Sequence, residues 1–194
     1  MCSSDLFFAT FLYAIGFIGN FMVPKAIDSA PQVPFLQALL INLGLLGLFG
    51  VQHSFMARKS FKRWLTRYIP QPAERSTYVL ASSVLLIALF ALWQPMGGVI
   101  WSLTDSTAST IIYALYGLGW LVLLYATFLV DHFDLFGLRQ VWFYLRGREY
   151  VAPTFTKRQA YQWVRHPIYL GWLIIVWASP TMTIAHLVFA IGCT

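Results

Sequence analysis

Residues 111–130, "IIYALYGLGWLVLLYATFLV", form a run of 20 residues without a charged side chain. A helix needs about 20 apolar residues to cross the hydrocarbon core of a bilayer. Of the 194 residues in the chain, 59% are hydrophobic and 10% are charged. A soluble domain carries about 25% charged residues. Because so few polar side chains could not cover a soluble fold of this size, the composition predicts an integral membrane protein.

Four further apolar segments accompany this run, and the last of them is interrupted at Ser179-Pro180. Proline removes a backbone donor and clashes with the preceding turn, so this segment could be one kinked helix or a hairpin. We favour the hairpin, in which Thr181 or Thr183 would cap the second helix. The predicted fold class is therefore all-α: a polytopic transmembrane helical bundle of about five spans, in a single domain over residues 1–194. The four other segments are residues 6–23, 36–55, 78–93 and 168–193.

The basic residues lie in two groups. Six of the 13 Lys and Arg residues lie within residues 58–75, six lie within residues 139–165, and the last is Lys25. Cytoplasmic loops of membrane proteins are enriched in Lys and Arg, so both groups are predicted to face the cytoplasm. Attraction to anionic lipid headgroups adds to this pattern. The net charge of +6 therefore indicates a lipid bilayer and not nucleic acid as the partner.

Residues 162–172, "QWVRHPIYLGW", lead into the last apolar segment. Arg165 could simply flank the membrane, Pro167 could start a helix, and Tyr169 could sit in the interfacial aromatic belt. Alternatively, a helix that starts with proline leaves its first N–H groups free for an anion. Arg165 could then clamp a carboxylate, and Tyr161 and Tyr169 could face a cation. A ligand with a carboxylate and a sulfonium, such as S-adenosylmethionine, would suit that arrangement.

Histidines mark three other positions. In residues 131–134, "DHFD", two acids flank an imidazole directly after the uncharged run. This pattern resembles a general base or half of a metal site, or it is a charged helix end at the membrane exit. A metal site would need more ligands than these, and we expect no metal site. His53 at a span end is typical of a packed or interfacial residue. His186, deep in the last apolar segment, has no evident partner.

These residues carry a resemblance to a known family. "YQWVRHPIYLGWL" is similar to the RHPxYxG signature of the isoprenylcysteine carboxyl methyltransferase-like membrane methyltransferases. Within that superfamily the bacterial methanethiol S-methyltransferases, relatives of the NnrU proteins, resemble the chain more closely. The phrases that carry this are "FLYAIGFIGNFMVPKAID", "QHSFMARKSFKRWLTRYIPQPAERSTYVL", "DHFDLFGLRQVW" and "RHPIYLGWLIIVWASPTMT".

The resemblance implies an enzyme that transfers a methyl group from S-adenosylmethionine to the small thiol methanethiol, which gives dimethyl sulfide. It also implies a bacterial inner membrane and an active site that faces the cytoplasm. The candidates for the thiol side are His132, Asp134, Arg139 and Gln140, with His53 as the least favoured. The contacts to S-adenosylmethionine would fall on Pro153, Thr154, Phe155, Thr156, Tyr161, Arg165, His166, Pro167, Ile168 and Tyr169.

Two alternatives stay open at the level of sequence. One is a related membrane methyltransferase that acts on a lipidated thiol or carboxylate, or on a phospholipid amine. The other is an NnrU-like membrane protein without catalytic activity. In the superfamily, the chain after the last hairpin returns to the cytosol with an acidic segment that contains arginine. Because this sequence stops at Thr194, within its last apolar segment, we expect a fragment that is incomplete at its C-terminus.

Overall fold

A computed structural model of the chain describes residues 2–151 and 166–194. Helices make up most of this part, as the composition predicts, and a short two-stranded ribbon joins two loops. The elements are α1 (Cys2–Gly19), α2 (Phe35–Ala57), α3 (Lys59–Leu65), a 3-10 turn (Gln71–Ala73), α4 (Glu74–Leu92), β1 (Val99–Ser102), α5 (Ser106–Leu129), α6 (His132–Leu135), α7 (Leu138–Leu145), α8 (Pro167–Trp177), β2 (Thr181–Thr183) and α9 (Ile184–Gly192).

Three helices of the described ranges are long and apolar enough to cross a membrane: α2, α4 with the turn before it, and α5. α1 and α8 are also apolar, but they are shorter. Asp105 caps the first turn of α5, where its carboxylate accepts the Ala108 N–H at 2.7 Å. The predicted helical membrane bundle is therefore confirmed.

The first helix ends at Gly19 and not at residue 23, where the sequence predicted its end. Asn20 (φ 61°) and Met22 (φ 58°) have left-handed backbone conformations, which a continuing helix does not allow. The chain then turns back on the helix, and the Phe21 N–H bonds to the Gly16 carbonyl at 3.1 Å. The apolar run is longer than the helix, since the last residues of the run turn back and pack against α1.

The last apolar segment forms the predicted hairpin. α8 ends at Trp177, and the hydroxyl of Thr183 caps α9 by accepting the His186 N–H at 3.3 Å. Between the two helices, residues 181–183 pair antiparallel with residues 99–102. The Trp101 indole N–H also donates to the Ser179 carbonyl at 3.0 Å. The sequence did not predict this ribbon, which holds the hairpin turn against the loop before α5.

An aromatic cluster holds α1, the end of α4 and α9 together. Phe17, Trp93 and Phe189 are buried and meet edge to face. The ring centroids of Trp93 and Phe189 lie 5.6 Å apart. Aromatic pairs at such distances add to the stabilisation from buried area, so this cluster is the centre of the core.

A buried polar network joins the loop after α1 to the hairpin. His186 is fully buried, with Nδ1 2.9 Å from Asp28 Oδ2 and Nε2 3.2 Å from the Val176 carbonyl. Asp28 also accepts from the Asn20 amide at 2.6 Å and from the Thr183 hydroxyl. Both ring nitrogens of His186 thus have a hydrogen-bond partner, one on the loop after α1 and one at the end of α8. His186 therefore has the partner that the sequence did not reveal.

Candidate active site

Helices α5 and α8 pack against each other in opposite directions at two glycines. A Cβ atom on Gly171 would lie 2.7 Å from the Leu123 backbone N, and one on Gly119 would lie 3.0 Å from Ile174. The two backbones therefore touch, as small residues allow in membrane helices. Because the helices run antiparallel, the first turn of α8 lies beside the last turn of α5. The segment around His166 and the segment around His132 thus reach the same end of the bundle.

A groove of about 530 Å³ opens at the start of α8. Its described lining consists of His166, Pro167, Ile168, Tyr169 and Trp172, and we call it the α8 groove. Pro167 is the first helical residue, and no side chain within residues 2–151 and 166–194 caps the helix. The first-turn N–H groups of α8 are therefore open to an acceptor. The Tyr169 side chain is 45% exposed, and its hydroxyl donates to the Thr194 backbone oxygen.

Four of the ten predicted contacts to S-adenosylmethionine thus line one groove. The structure brings together His166, Pro167, Ile168 and Tyr169 and adds Trp172, which the sequence did not single out. The other six lie outside the described residues, and their roles stay predictions. They are Pro153, Thr154, Phe155, Thr156, Tyr161 and Arg165.

His132 is oriented by contacts with α5. Its ring stacks on Phe128 with centroids 4.5 Å apart and planes at 12°, and it meets Phe136 at 4.7 Å. Its Nδ1 lies 2.9 Å from the Thr127 hydroxyl, which itself donates to the Leu124 carbonyl at 2.7 Å. Since that hydroxyl has only one proton, it must accept from Nδ1–H. His132 Nε2 then holds a free lone pair and has no hydrogen-bond partner within residues 2–151 and 166–194.

The protonation state of His132 follows from its surroundings. Burial among the phenylalanine rings lowers the pKa of His132 from its ordinary value of 6.5, and the charge of Asp131 offsets only part of that effect. The imidazole is therefore neutral at pH 7. A neutral imidazole whose second ring nitrogen holds a lone pair is suited to accept a proton.

Asp131 holds the short segment between α5 and α7. It has a left-handed backbone (φ 77°), and its Oδ1 accepts the Asp134 N–H at 3.3 Å. Its Oδ2 pairs with Arg139 Nη1 at 2.6 Å. An aspartate tolerates this backbone better than most residues because its side chain bonds locally. The charge of Arg139 is thus largely engaged by Asp131.

Asp134 is the centre of a second set of hydrogen bonds. Its Oδ1 accepts from the Gln140 amide at 3.1 Å and from the Tyr150 hydroxyl, and Arg75 Nη1 lies 4.0 Å from Oδ2. Burial raises the pKa of Tyr150 to about 12, and the hydrogen bond to Asp134 and its charge act in the same direction. The phenol therefore stays protonated as a donor. Sequence analysis missed Tyr150, because nothing in "RGREYV" indicates a partner 16 residues earlier.

His53 lies apart from these contacts. Its ring is 2.9 Å from the Tyr78 hydroxyl and 5.4 Å from the Phe49 ring, so its partners belong to α2 and α4. The structure thus brings together His132, Asp134, Arg139 and Gln140 on α6 and α7, and it does not place His53 with them.

Comparison with known proteins identifies relatives of this chain. No family model matches the chain, and no solved structure matches it. It is 53% identical to a methanethiol S-methyltransferase of Crocosphaera subtropica over 184 residues, which are 95% of this chain and 72% of the relative.

Two other relatives are a second methanethiol S-methyltransferase and nurim. Identity to a methanethiol S-methyltransferase of Mycobacterium tuberculosis is 49% over 189 residues, 97% of this chain and 78% of the relative. Identity to nurim of Bos taurus is 29% over 167 residues, 82% of this chain and 63% of nurim. Both methanethiol S-methyltransferases match at least 95% of this chain at 49% identity or more. The chain therefore belongs to the methanethiol S-methyltransferase family and is a methyltransferase.

Proposed function

We propose that this protein transfers the methyl group of S-adenosylmethionine to methanethiol and releases dimethyl sulfide and S-adenosylhomocysteine, at the cytoplasmic face of a bacterial inner membrane. The names of the relatives support the substrate, and the basic segments at this end of the bundle support the orientation. One observation carries the proposal. The uncapped start of α8, with its groove, lies at the same end of the bundle as the free Nε2 of His132.

The α8 groove has the features that the methyl donor requires. Its volume of about 530 Å³ is that of a small-molecule site. The open N–H groups in the first turn of α8 suit a carboxylate, and the rings of Tyr169 and Trp172 suit a positively charged sulfur. S-adenosylmethionine would supply an activated methyl group on such a sulfur. The chain itself would hold the donor and keep water away from the reacting atoms.

We assign proton transfer to His132. The nucleophile in this reaction is the thiolate, which is the minor form of an aliphatic thiol at neutral pH. His132 Nε2 would accept the thiol proton, while Thr127 keeps the other ring nitrogen protonated and fixes the plane of the ring. This arrangement follows the general logic of a base held by a third group. Aligned reactants then supply much of the acceleration.

Asp134, Arg139 and Gln140 serve in this proposal to position His132. Asp134 bonds with Gln140 and Tyr150, and Arg139 pairs with Asp131, so their charged or polar groups are already engaged. These bonds join α6 to α7 and hold the segment that carries His132. His53 has no part in the chemistry.

Two variants test the proposal by separating binding from turnover. Tyr169→Ala should weaken binding of S-adenosylmethionine by about tenfold, since it removes an aromatic face of the groove. His132→Ala should leave that binding unchanged but lower the rate of dimethyl sulfide formation. Donor binding is measured by calorimetry and the product by headspace gas chromatography. Equal loss of donor binding in both variants, or normal turnover in His132→Ala, contradicts the assignment.

A further inference from the structure

A second groove opens between α1 and α5, with a volume of about 550 Å³. Among the residues that the structure describes, no charged side chain lines it, and most of its lining is aromatic. It lies along the middle third of α5, so it faces the part of the bundle that the bilayer surrounds. We call it the α1–α5 groove, and its lining residues are Ile15, Phe21, Tyr113, Tyr116, Gly117 and Trp120.

Two tryptophans lie between this groove and the α8 groove. Trp120 lines the α1–α5 groove, and Trp172 lines the α8 groove. Their ring centroids are 6.5 Å apart, and the rings meet at 86°. Trp120 is only 6% exposed, since Phe11 packs edge to face against it at 4.9 Å. The two grooves are therefore separated by one layer of aromatic side chains.

We propose that the α1–α5 groove takes up the thiol substrate from the bilayer and passes it between Trp120 and Trp172 to the α8 groove. This inference rests on the proposed function. A small uncharged thiol enters an apolar groove at little free-energy cost, whereas a charged methyl donor does not. The two substrates would then reach the reaction from opposite directions, the thiol from the membrane and the donor from the aqueous side.

Gly117 offers a direct test of this route. A Cβ atom on Gly117 would have no heavy atom within 4 Å, so the side chain of Gly117→Leu starts in open space and occupies the groove. Gly47 on α2 is equally open and lies away from both grooves, so Gly47→Leu is the matched control. Both proteins are reconstituted in vesicles, and dimethyl sulfide formation is measured against the concentration of each substrate. Gly117→Val is a smaller substitution for the case in which Gly117→Leu does not fold.

We expect Gly117→Leu to raise KM for methanethiol by about fivefold or more, with Gly117→Val intermediate, because less of the thiol reaches the site at a given concentration. KM for S-adenosylmethionine should stay within about twofold of wild type in both variants. Gly47→Leu should match wild type. If the wild type forms dimethyl sulfide and the folded Gly117 variants keep its KM for methanethiol, the route is refuted. If the wild type forms none, the proposed function itself fails.

Discussion

At the scale of single residues, the protonation state of His132 should set the pH dependence of turnover. Burial lowers the pKa of His132 below 6.5, and only the neutral ring can accept a proton. The neutral form is complete above that pKa and disappears as the pH falls through it. We therefore expect kcat/KM for methanethiol to fall on the acid side, with an apparent pKa below 6.5. Initial rates are measured between about pH 5 and pH 9, a range that includes the titration of a histidine base.

The same titration in His132→Ala serves as the control. Without the base, kcat/KM should be lower by about 10²–10⁴-fold, and the acid limb should disappear. Tyr150, whose pKa is raised to about 12, stays protonated throughout and adds no limb of its own. An acid limb that persists unchanged in His132→Ala would show that another group titrates.

Thr127 should act only through His132. Thr127→Val removes the oxygen that accepts from Nδ1–H, so the ring loses its fixed tautomer and orientation. We expect kcat to fall by about tenfold with the donor KM unchanged, which is a loss limited to the transition state. Thr127→Ser keeps the hydroxyl and should restore most of the rate. Equal kcat values for the valine and serine variants would show that the hydroxyl has no such role.

At the scale of elements, the contact between α5 and α8 depends on Gly171. Gly171→Ala would place a Cβ atom 2.7 Å from the Leu123 backbone N, which only a shift of one helix can relieve. Such overpacking costs about 1–3 kcal/mol of stability, so the unfolding temperature in detergent should fall. Gly44, which has open space around its Cα, provides the control.

Gly44→Ala should instead raise the unfolding temperature slightly, because alanine favours a helix by about 0.5–1 kcal/mol over glycine. The two alanine substitutions should therefore have opposite signs. A Gly171→Ala protein that is as stable as Gly44→Ala would mean that α5 and α8 are not in such close contact.

The elements also show how far the sequence predicts the fold. The long helices were predicted from the length of the apolar segments, and the hairpin was predicted from Pro180 and Thr183, because these signals are local. The ribbon of β1 and β2 was missed because four residues at 99–102 pair with a segment about 80 positions later. The end of α1 was missed because Asn20 has a left-handed backbone and its side chain binds Asp28 in the following loop, and the apolar pattern shows neither feature.

At the scale of the whole molecule, the pair of Asp28 and His186 joins segments 158 positions apart in the chain. Both side chains are buried, so removal of one leaves the other buried without its partner. We expect His186→Ala to lower the free energy of unfolding by about 3–5 kcal/mol. Chemical denaturation of the protein in detergent measures this loss.

A partly exposed ion pair gives the comparison for that measurement. Lys62 and Glu74 lie 3.2 Å apart, with 34% and 18% of their side chains exposed. Glu74→Gln should change the free energy of unfolding by at most about 1 kcal/mol. If His186→Ala has no larger effect than Glu74→Gln, the buried pair does not stabilise the fold.

The candidate site was only partly predictable from the sequence, for the same reason of distance along the chain. The motif around His166 and the acids around His132 were visible as local patterns, and the resemblance to a family linked them. The two segments lie at one end of the bundle because Gly119 packs on α8. No local sequence pattern shows this packing. Trp172 and Tyr150 were missed because each gains its partner only in the folded chain.

The most direct test of the central claim is the mass of the product formed from S-adenosylmethionine that carries an isotopically labelled methyl group. The protein in its vesicles receives this donor and unlabelled methanethiol, and the headspace is analysed by mass spectrometry. We expect dimethyl sulfide with one labelled and one unlabelled methyl group, and none when the donor is omitted. Dimethyl sulfide without the label, or no dimethyl sulfide from a folded protein that binds the donor, would contradict methyl transfer from S-adenosylmethionine to methanethiol.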